Sequence, residues 1–579
     1  MHSISNYIRP LATLTILLIF GCQSEKNYAD IILLSGKIIT MDKTLSIAEA
    51  IAITDGKLMA VGDDNDILRL RGDSTKVIKL QGHAVIPGLI ENHAHPVSAS
   101  VSEFSEKIPD VHTIRDLLQW IHTEAVKKED NQWIIHPKLF VTRLGDMRQL
   151  TKQELDSVAP HNPVFLNGSY GGFINSKAFE LSRITDTQHP GILRDKKTGD
   201  ANGMIRQAAF HLLSIPPEKK LSDEERLTAL QQLLQLYNKV GITSVCSGSG
   251  GQDELSMFKR LMDRDQLTVR VFQNFRIPFD TKASLEELMK TLKAYGYKTG
   301  HGNEWVKVGA LKVVLDGGML TGTAYLNEGW GPKAKEMFGI NDPHYRGELF
   351  FSKKELVNII TAAFDAGWKF TAHVTGGGGV DTLLAAYEIV DSSRKINQKR
   401  FSIIHGNFYT KEAIRKMALM GIYADMQPAW FYKDTNALLR ILGKQRMESF
   451  HPYRSMMEAG ILINGGSDHM VKLDPVASIN PYNPFLAMWS AITRKTDSHT
   501  VFNPGQSISR IQALQMYTIN NAYASFEEDL KGSIEVGKFA DLVVLSNDIL
   551  TCPVDAIRSI KPILTLVNGK VVFDDGTLE

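Results

Sequence analysis

Between Ala84 and Gly465 the sequence alternates short apolar β-type runs with longer helical stretches, and this alternation constrains the fold more than any other feature. Eight runs qualify: Ala84–Ile90, Ile242–Cys246, Val269–Gln273, Ala310–Leu315, Lys369–Val374, Phe401–Ile404, Gly421–Met426 and Ile461–Gly465. Strands apolar on both faces and separated by helices make a parallel sheet covered by helices, and eight such units close a TIM-like (β/α)8 barrel. The stretch from Pro96 to Val240 is too long for one crossover. An inserted subdomain is therefore expected over about 97–240, with helices at Ile114–Lys127 and Asp223–Lys239.

The chain ends read differently. Ile31–Leu34, Lys37–Met41, Ala48–Thr54 and Lys57–Val61 are β-rich runs broken by turns such as Asp55-Gly56, and they read as a small antiparallel sheet. Leu542–Leu545, Ile563–Val567 and Lys570–Phe573 repeat the pattern, with Asn568-Gly569 as a hairpin turn. We expect one β-sandwich built from residues 30–83 and 531–579, bracketing a barrel over 84–530.

Residues 1–22 read as an export signal: Arg9 precedes an apolar run, Leu11–Phe20, too short to span a bilayer, and Gly21-Cys22 follows. The ending resembles a lipobox. It implies that Cys22 is lipidated, that 23–29 is a tether, and that the protein is an outer-membrane lipoprotein facing the periplasm, since Gln23 follows the cysteine. A soluble periplasmic protein is the alternative. In cells fed labelled palmitate, Cys22→Ser should abolish labelling and leave the membrane fraction; unchanged partitioning would favour the soluble form. Cys246 and Cys552 are too few and too far apart for a disulfide framework. With 65 Lys and Arg against 64 Asp and Glu, no global field favours nucleic acid, and membrane attachment is expected only through the lipid.

A barrel of this kind places its chemistry at the C-terminal strand ends. The first run leads into His93-Ala94-His95, and side chains two apart on an extended chain point the same way, so both imidazoles can reach one ion. Lys312 lies inside the apolar fourth run, His373 ends the fifth, His405 the sixth and Asp468 follows the eighth. A charged or metal-ligating residue at each of these strand ends is a constellation that separately satisfied core residues do not explain. His469 beside Asp468 reads as a substrate contact or an exposed bystander. Trp430, with Phe431, Tyr432, Phe485 and Trp489, lines a pocket or packs the core.

The order HxH, Lys, His, His, Asp resembles the ligand pattern of the amidohydrolase superfamily. The segments Val85–Pro96, Leu150–Phe165, Lys312–Ala324, Gly465–Pro475 and Tyr517–Leu545 are similar to its branch of N-substituted formamide deformylase-like enzymes. The resemblance implies a zinc or other divalent metal site in which His93, His95 and Asp468 hold one ion and His373 and His405 face a second, bridged by a carbamylated Lys312. It implies hydrolysis of a C–N bond (amide, N-formyl, N-acyl or cyclic amide) in a small-molecule substrate, with Asp468 as general base and then acid, and it leaves room for a homo-oligomer. Gln207, Cys246-Ser247, Gly322 and the Asn167–Gly172 segment depart from the family's substrate-side residues. A mononuclear heterocycle deaminase and a silent ligand-binding lipoprotein are the competing readings. The glycines of 168–172, 248–251 and 376–379 read as loops over the site.

Overall fold

The computed structural model describes residues 28–578 apart from 185–187, 196, 218–219, 278–282 and 343. Cys22, the signal-type segment and most of the tether therefore lie outside the described residues. Among these residues no helix is long and apolar enough to cross a membrane.

The barrel strands are β1 (Leu89–Ala94), β2 (Ile242–Gly250), β3 (Arg270–Arg276), β4 (Val306–Val314), β5 (Phe370–Val374), β6 (Ser402–His405), β7 (Tyr423–Met426) and β8 (Ile463–Gly465). They lie in that order in one sheet, and every neighbouring pair is parallel. The two edges meet just past β1 and β8. There the Asp468 amide donates to the His93 carbonyl and the His95 amide to the His469 carbonyl, each at 2.7 Å. The expected TIM-like barrel is thus nearly closed, and the closing bonds run through the backbone of the candidate ligands.

The outer helices follow from their sequences. Lys353–Asp365 begins at Ser352, whose hydroxyl accepts from the Glu355 amide while Glu355 accepts from the Ser352 amide. Its Leu356, Ile359, Ile360 and Ala363 recur at helical spacing and are buried against the barrel.

One predicted strand divides. Ala84–Pro87 pairs with Leu542–Leu545 in the sandwich, and only Leu89 onward enters the barrel. Gly88 is the joint: a Cβ there would lie 2.2 Å from the Thr243 hydroxyl, so no side chain fits where the chain passes between the two sheets. The sandwich draws on both chain ends, as expected. One sheet orders Lys57–Gly62, Ala50–Thr54, Ala29–Leu34 and Arg71–Lys79. The other orders Lys570–Asp574, Pro562–Val567, Leu542–Leu545, Ala84–Pro87, Lys37–Ile39 and Ile47–Ala48. Arg71–Lys79 went unpredicted, and it runs parallel to Ala29–Leu34 rather than antiparallel. Its largely charged, exposed sequence carries no apolar alternation to announce it. Leu33, Ile51, Val85, Leu542, Val544 and Leu564 fill the space between the sheets. Arg270 at the start of β3 ties sandwich to barrel. It is buried, bonded to both Asp541 carboxylate oxygens at 2.8 and 3.1 Å, and stacked 3.7 Å over the Phe539 ring.

The insertion has both expected helices at Ile114–Lys127 and Asp223–Lys239. The second buries Leu227, Leu230, Leu233 and Leu234 in the barrel core and acts as the crossover into β2. The inserted sheet orders Ile192–Arg194, Ala201–Arg206, Gly171–Ile174, Val164–Asn167 and Ile134–His136. Two of the three glycine clusters are not lids. Gly248 and Gly250 lie within β2, and Gly377–Asp391 is a helix that buries its glycines.

Candidate metal centre

His93 and His95 leave β1 on one side, and their Nε2 atoms lie 3.4 and 3.2 Å from the same oxygen, Oδ1 of Asp468. The three ligand atoms fall within 4.8 Å of one another. Oδ1 is buried with no hydrogen-bond partner, whereas Asn480 holds the residue from outside, donating to its carbonyl at 2.8 Å and to Oδ2 at 3.4 Å. Gly248 of β2 makes room, since a Cβ there would sit 2.4 Å from the His93 ring. Lys312 of β4 is buried, and its Nζ is 3.2 Å from His93 Nε2. Asp316, the carboxylate four residues further along the chain, is engaged elsewhere: it accepts from the amides of Tyr325, Thr375 and Gly376.

His373 and His405 form a second pair, with ring centres 4.5 Å apart and His405 5.2 Å from His93. Gln427 Oε1 lies 2.7 Å from His405 Nδ1, and the Gln427 amide nitrogen is anchored on the Asp425 carbonyl, so Nδ1 carries the proton and Nε2 is left as a ligand atom. Trp430 stacks on the His405 ring at 4.4 Å and 11°. His405 and Asp468 both hold left-handed backbone, φ 71° and 57°, a conformation non-glycine residues take at a cost and that gathers at functional sites.

Burial, and then the Lys312 charge, holds His93 and His373 at about 3. Burial also lowers His95 and takes His405 far down. All four imidazoles are thus neutral, the form that binds metal. Burial works against ionisation of Asp468, but the His93 and His95 rings beside its inner oxygen outweigh it and keep the carboxyl well below its usual range. Burial lowers Lys312 to about 8. One carboxylate among four neutral imidazoles, with its inner oxygen unpartnered, is a donor set that fits a divalent cation.

Gln427 and Asn480 escaped the sequence reading, and so did three further contributors. Glu91 lies in the same period-two phase as His93 and His95, a signal that could have found it. It accepts from the amides of His93 at 3.0 Å and Ser467 at 2.8 Å, pinning the first and last strands together, and burial pushes it up to about 8. Tyr170, from the inserted subdomain, sets its hydroxyl 3.2 Å from His373 Nε2. Lys138, from the same subdomain, donates to the Ser169 hydroxyl. His469 takes neither expected place. It is fully buried outside the cavity, with Tyr237 at 2.9 Å from Nδ1 and the Lys472 carbonyl at 2.6 Å from Nε2. Of the aromatic candidates Trp430 alone lines the cavity; Phe431, Phe485 and Trp489 are core. That cavity, about 370 Å³, opens between the barrel mouth and the insertion and exposes His95, Lys312, His373, His405 and Asp468.

The model of the Amidohydrolase family matches residues 76–573. An N-substituted formamide deformylase of Arthrobacter pascens is 25% identical over 94% of this chain and 98% of its own length. Protein LONG AFTER FAR-RED 3 of Arabidopsis thaliana is 26% identical over 90% and 88%. Among solved structures, an uncharacterized metal-dependent hydrolase from Pyrococcus horikoshii OT3 superposes with a TM-score of 0.64 at 20% identity, covering 91% of this chain and 99% of that one.

Proposed function

The chain belongs to the amidohydrolase family, and from that membership we propose that it hydrolyses a C–N bond in a small-molecule amide. One observation carries the reading: the unpartnered Asp468 oxygen meets two neutral imidazoles at the wall of a cavity large enough for a substrate. A divalent ion there, zinc or another, would supply Lewis acidity toward a substrate carbonyl and lower the pKa of water toward neutral. His93, His95 and Asp468 would hold it, and His373 and His405 would hold a second ion bridged by carbamylated Lys312. Asp468 takes the proton of the attacking water and returns it to the departing nitrogen as the C–N bond breaks. Tyr170, whose hydroxyl burial keeps protonated, donates toward the oxygen on which negative charge develops. Trp430 fixes His405 and gives the cavity an apolar wall.

The compactness of the His93, His95 and Asp468 trio supports a second reading, one ion and deaminase-like chemistry. Metal stoichiometry separates the two. The proposal is tested by loading the protein with zinc and measuring amine or ammonia release from N-formyl, N-acyl and cyclic amides. Asp468→Asn should lower kcat/KM by roughly 10²–10⁴-fold, the scale of a lost general base. A metal-loaded protein that releases no amine across the panel, or an Asp468→Asn variant with normal turnover, sinks the proposal.

A further inference from the structure

The cavity has three cationic groups that the reaction above does not use, and one of them, Arg143, is paired with Asp434. Lys138 reaches it from the inserted subdomain and Arg276 from the end of β3. Among the described residues neither forms an ion pair with a carboxylate. The hydroxyl of Ser169 is the hydrogen-bond partner of Lys138, and Arg276 is exposed. The acidic residues of the wall are otherwise engaged. Asp468 belongs to the histidine cluster, and Asp434 is taken by Arg143, Nε to Oδ1 at 2.6 Å. Phe140, Met319 and Leu320 make the wall beside these cations apolar.

A half-buried ammonium with no carboxylate in ion-pair contact is costly unless an anion meets it when the site is in use. Resting on the hydrolase reading, we infer that the substrate is an amide that itself carries a carboxylate, bound by Lys138 and Arg276, with an apolar side chain against Phe140, Met319 and Leu320. An N-acyl or N-formyl amino acid with an aromatic or aliphatic side chain has this chemistry. The insertion thereby sets specificity, since Lys138, Ser169 and Phe140 all come from it.

The test pairs N-acetyl- and N-formyl-phenylalanine, both enantiomers, with N-acetyl- and N-formyl-phenethylamine, which lack only the carboxylate. The zinc-loaded protein should favour the anion in kcat/KM by on the order of a hundredfold, the worth of charge-assisted hydrogen bonds in such a site. Lys138→Met and Arg276→Met should each raise KM for the anion, with a loss at least about tenfold larger than for its neutral analogue. Binding of phenylacetate, followed by calorimetry, gives a readout independent of turnover and should weaken by about tenfold or more in Lys138→Met. Equal turnover of the paired substrates, or equal losses on both in Lys138→Met, overturns the inference while leaving the hydrolase intact. If no amide is turned over, the hydrolase reading fails, and phenylacetate affinity unchanged in Lys138→Met then removes the anion site as well.

Discussion

A His93→Ala/His95→Ala protein should remain folded, bind no metal at the trio and lose activity by on the order of 10⁴-fold or more, the scale on which a catalytic unit fails as a whole. Both imidazoles direct Nε2 at the one inner oxygen of Asp468, so their removal leaves a carboxylate with no second ligand from β1. Folding is protected because the bonds that close the barrel here are main-chain. The Asp468 amide to His93 carbonyl and His95 amide to His469 carbonyl bonds survive truncation of either side chain. Glu91 also keeps its hold on the amides of residue 93 and Ser467. Elemental analysis beside circular dichroism and thermal melting reads both halves. Full metal content in a folded double variant would falsify the assignment of the trio.

The metal centre was legible because its residues obey local rules. A period of two places His93 and His95 together, and an alternation of strands and helices brings Lys312, His373, His405 and Asp468 to one end of a barrel. What the sequence hid is non-local. Tyr170 lies in the glycine-rich 168–172 stretch that reads as a loop over the site, but nothing in that stretch marks the tyrosine itself, and nothing near Lys138 announces that its strand-rich subdomain will lean over the barrel mouth. His469 shows the converse error: adjacency to Asp468 suggested the cavity, but the left-handed turn at Asp468 sends the next side chain outward to Tyr237. The single apolar run Ala84–Ile90 concealed a change of sheet, because strands of both sheets are buried on both faces and only Gly88 marks the crossing. In the sandwich Arg71–Lys79 was lost for the opposite reason: it is an edge strand held by backbone pairing, with little apolar burial of its own.

If Lys312 bridges two ions as proposed, Lys312→Ala should cost the protein one of them and lower kcat/KM by on the order of 10²–10⁴-fold, whereas Lys312→Arg should fail equally despite keeping a cation. Lys312 is 3% exposed, lies 3.2 Å from His93 Nε2, and among the described residues has no carboxylate within ion-pair distance. An ammonium so placed repels any metal the histidines bind, so the retained side chain is a liability unless its charge is reversed. Addition of the neutral amine to carbon dioxide does this: a C–N bond forms, one proton leaves to solvent, and the charge becomes negative on two oxygens that can face two ions. The position of Lys312 suits a bridge, because it touches the His93 ring and β4 runs beside β5, which carries His373. A guanidinium cannot undergo the addition at neutral pH and stays cationic, so arginine reproduces length and burial but not the chemistry. Acetate or propionate added to Lys312→Ala should restore part of both metal content and rate by supplying the missing oxygens. Two ions and near-normal turnover in Lys312→Arg would leave no place for the carbamate, and the single-ion site of His93, His95 and Asp468 would stand in its stead.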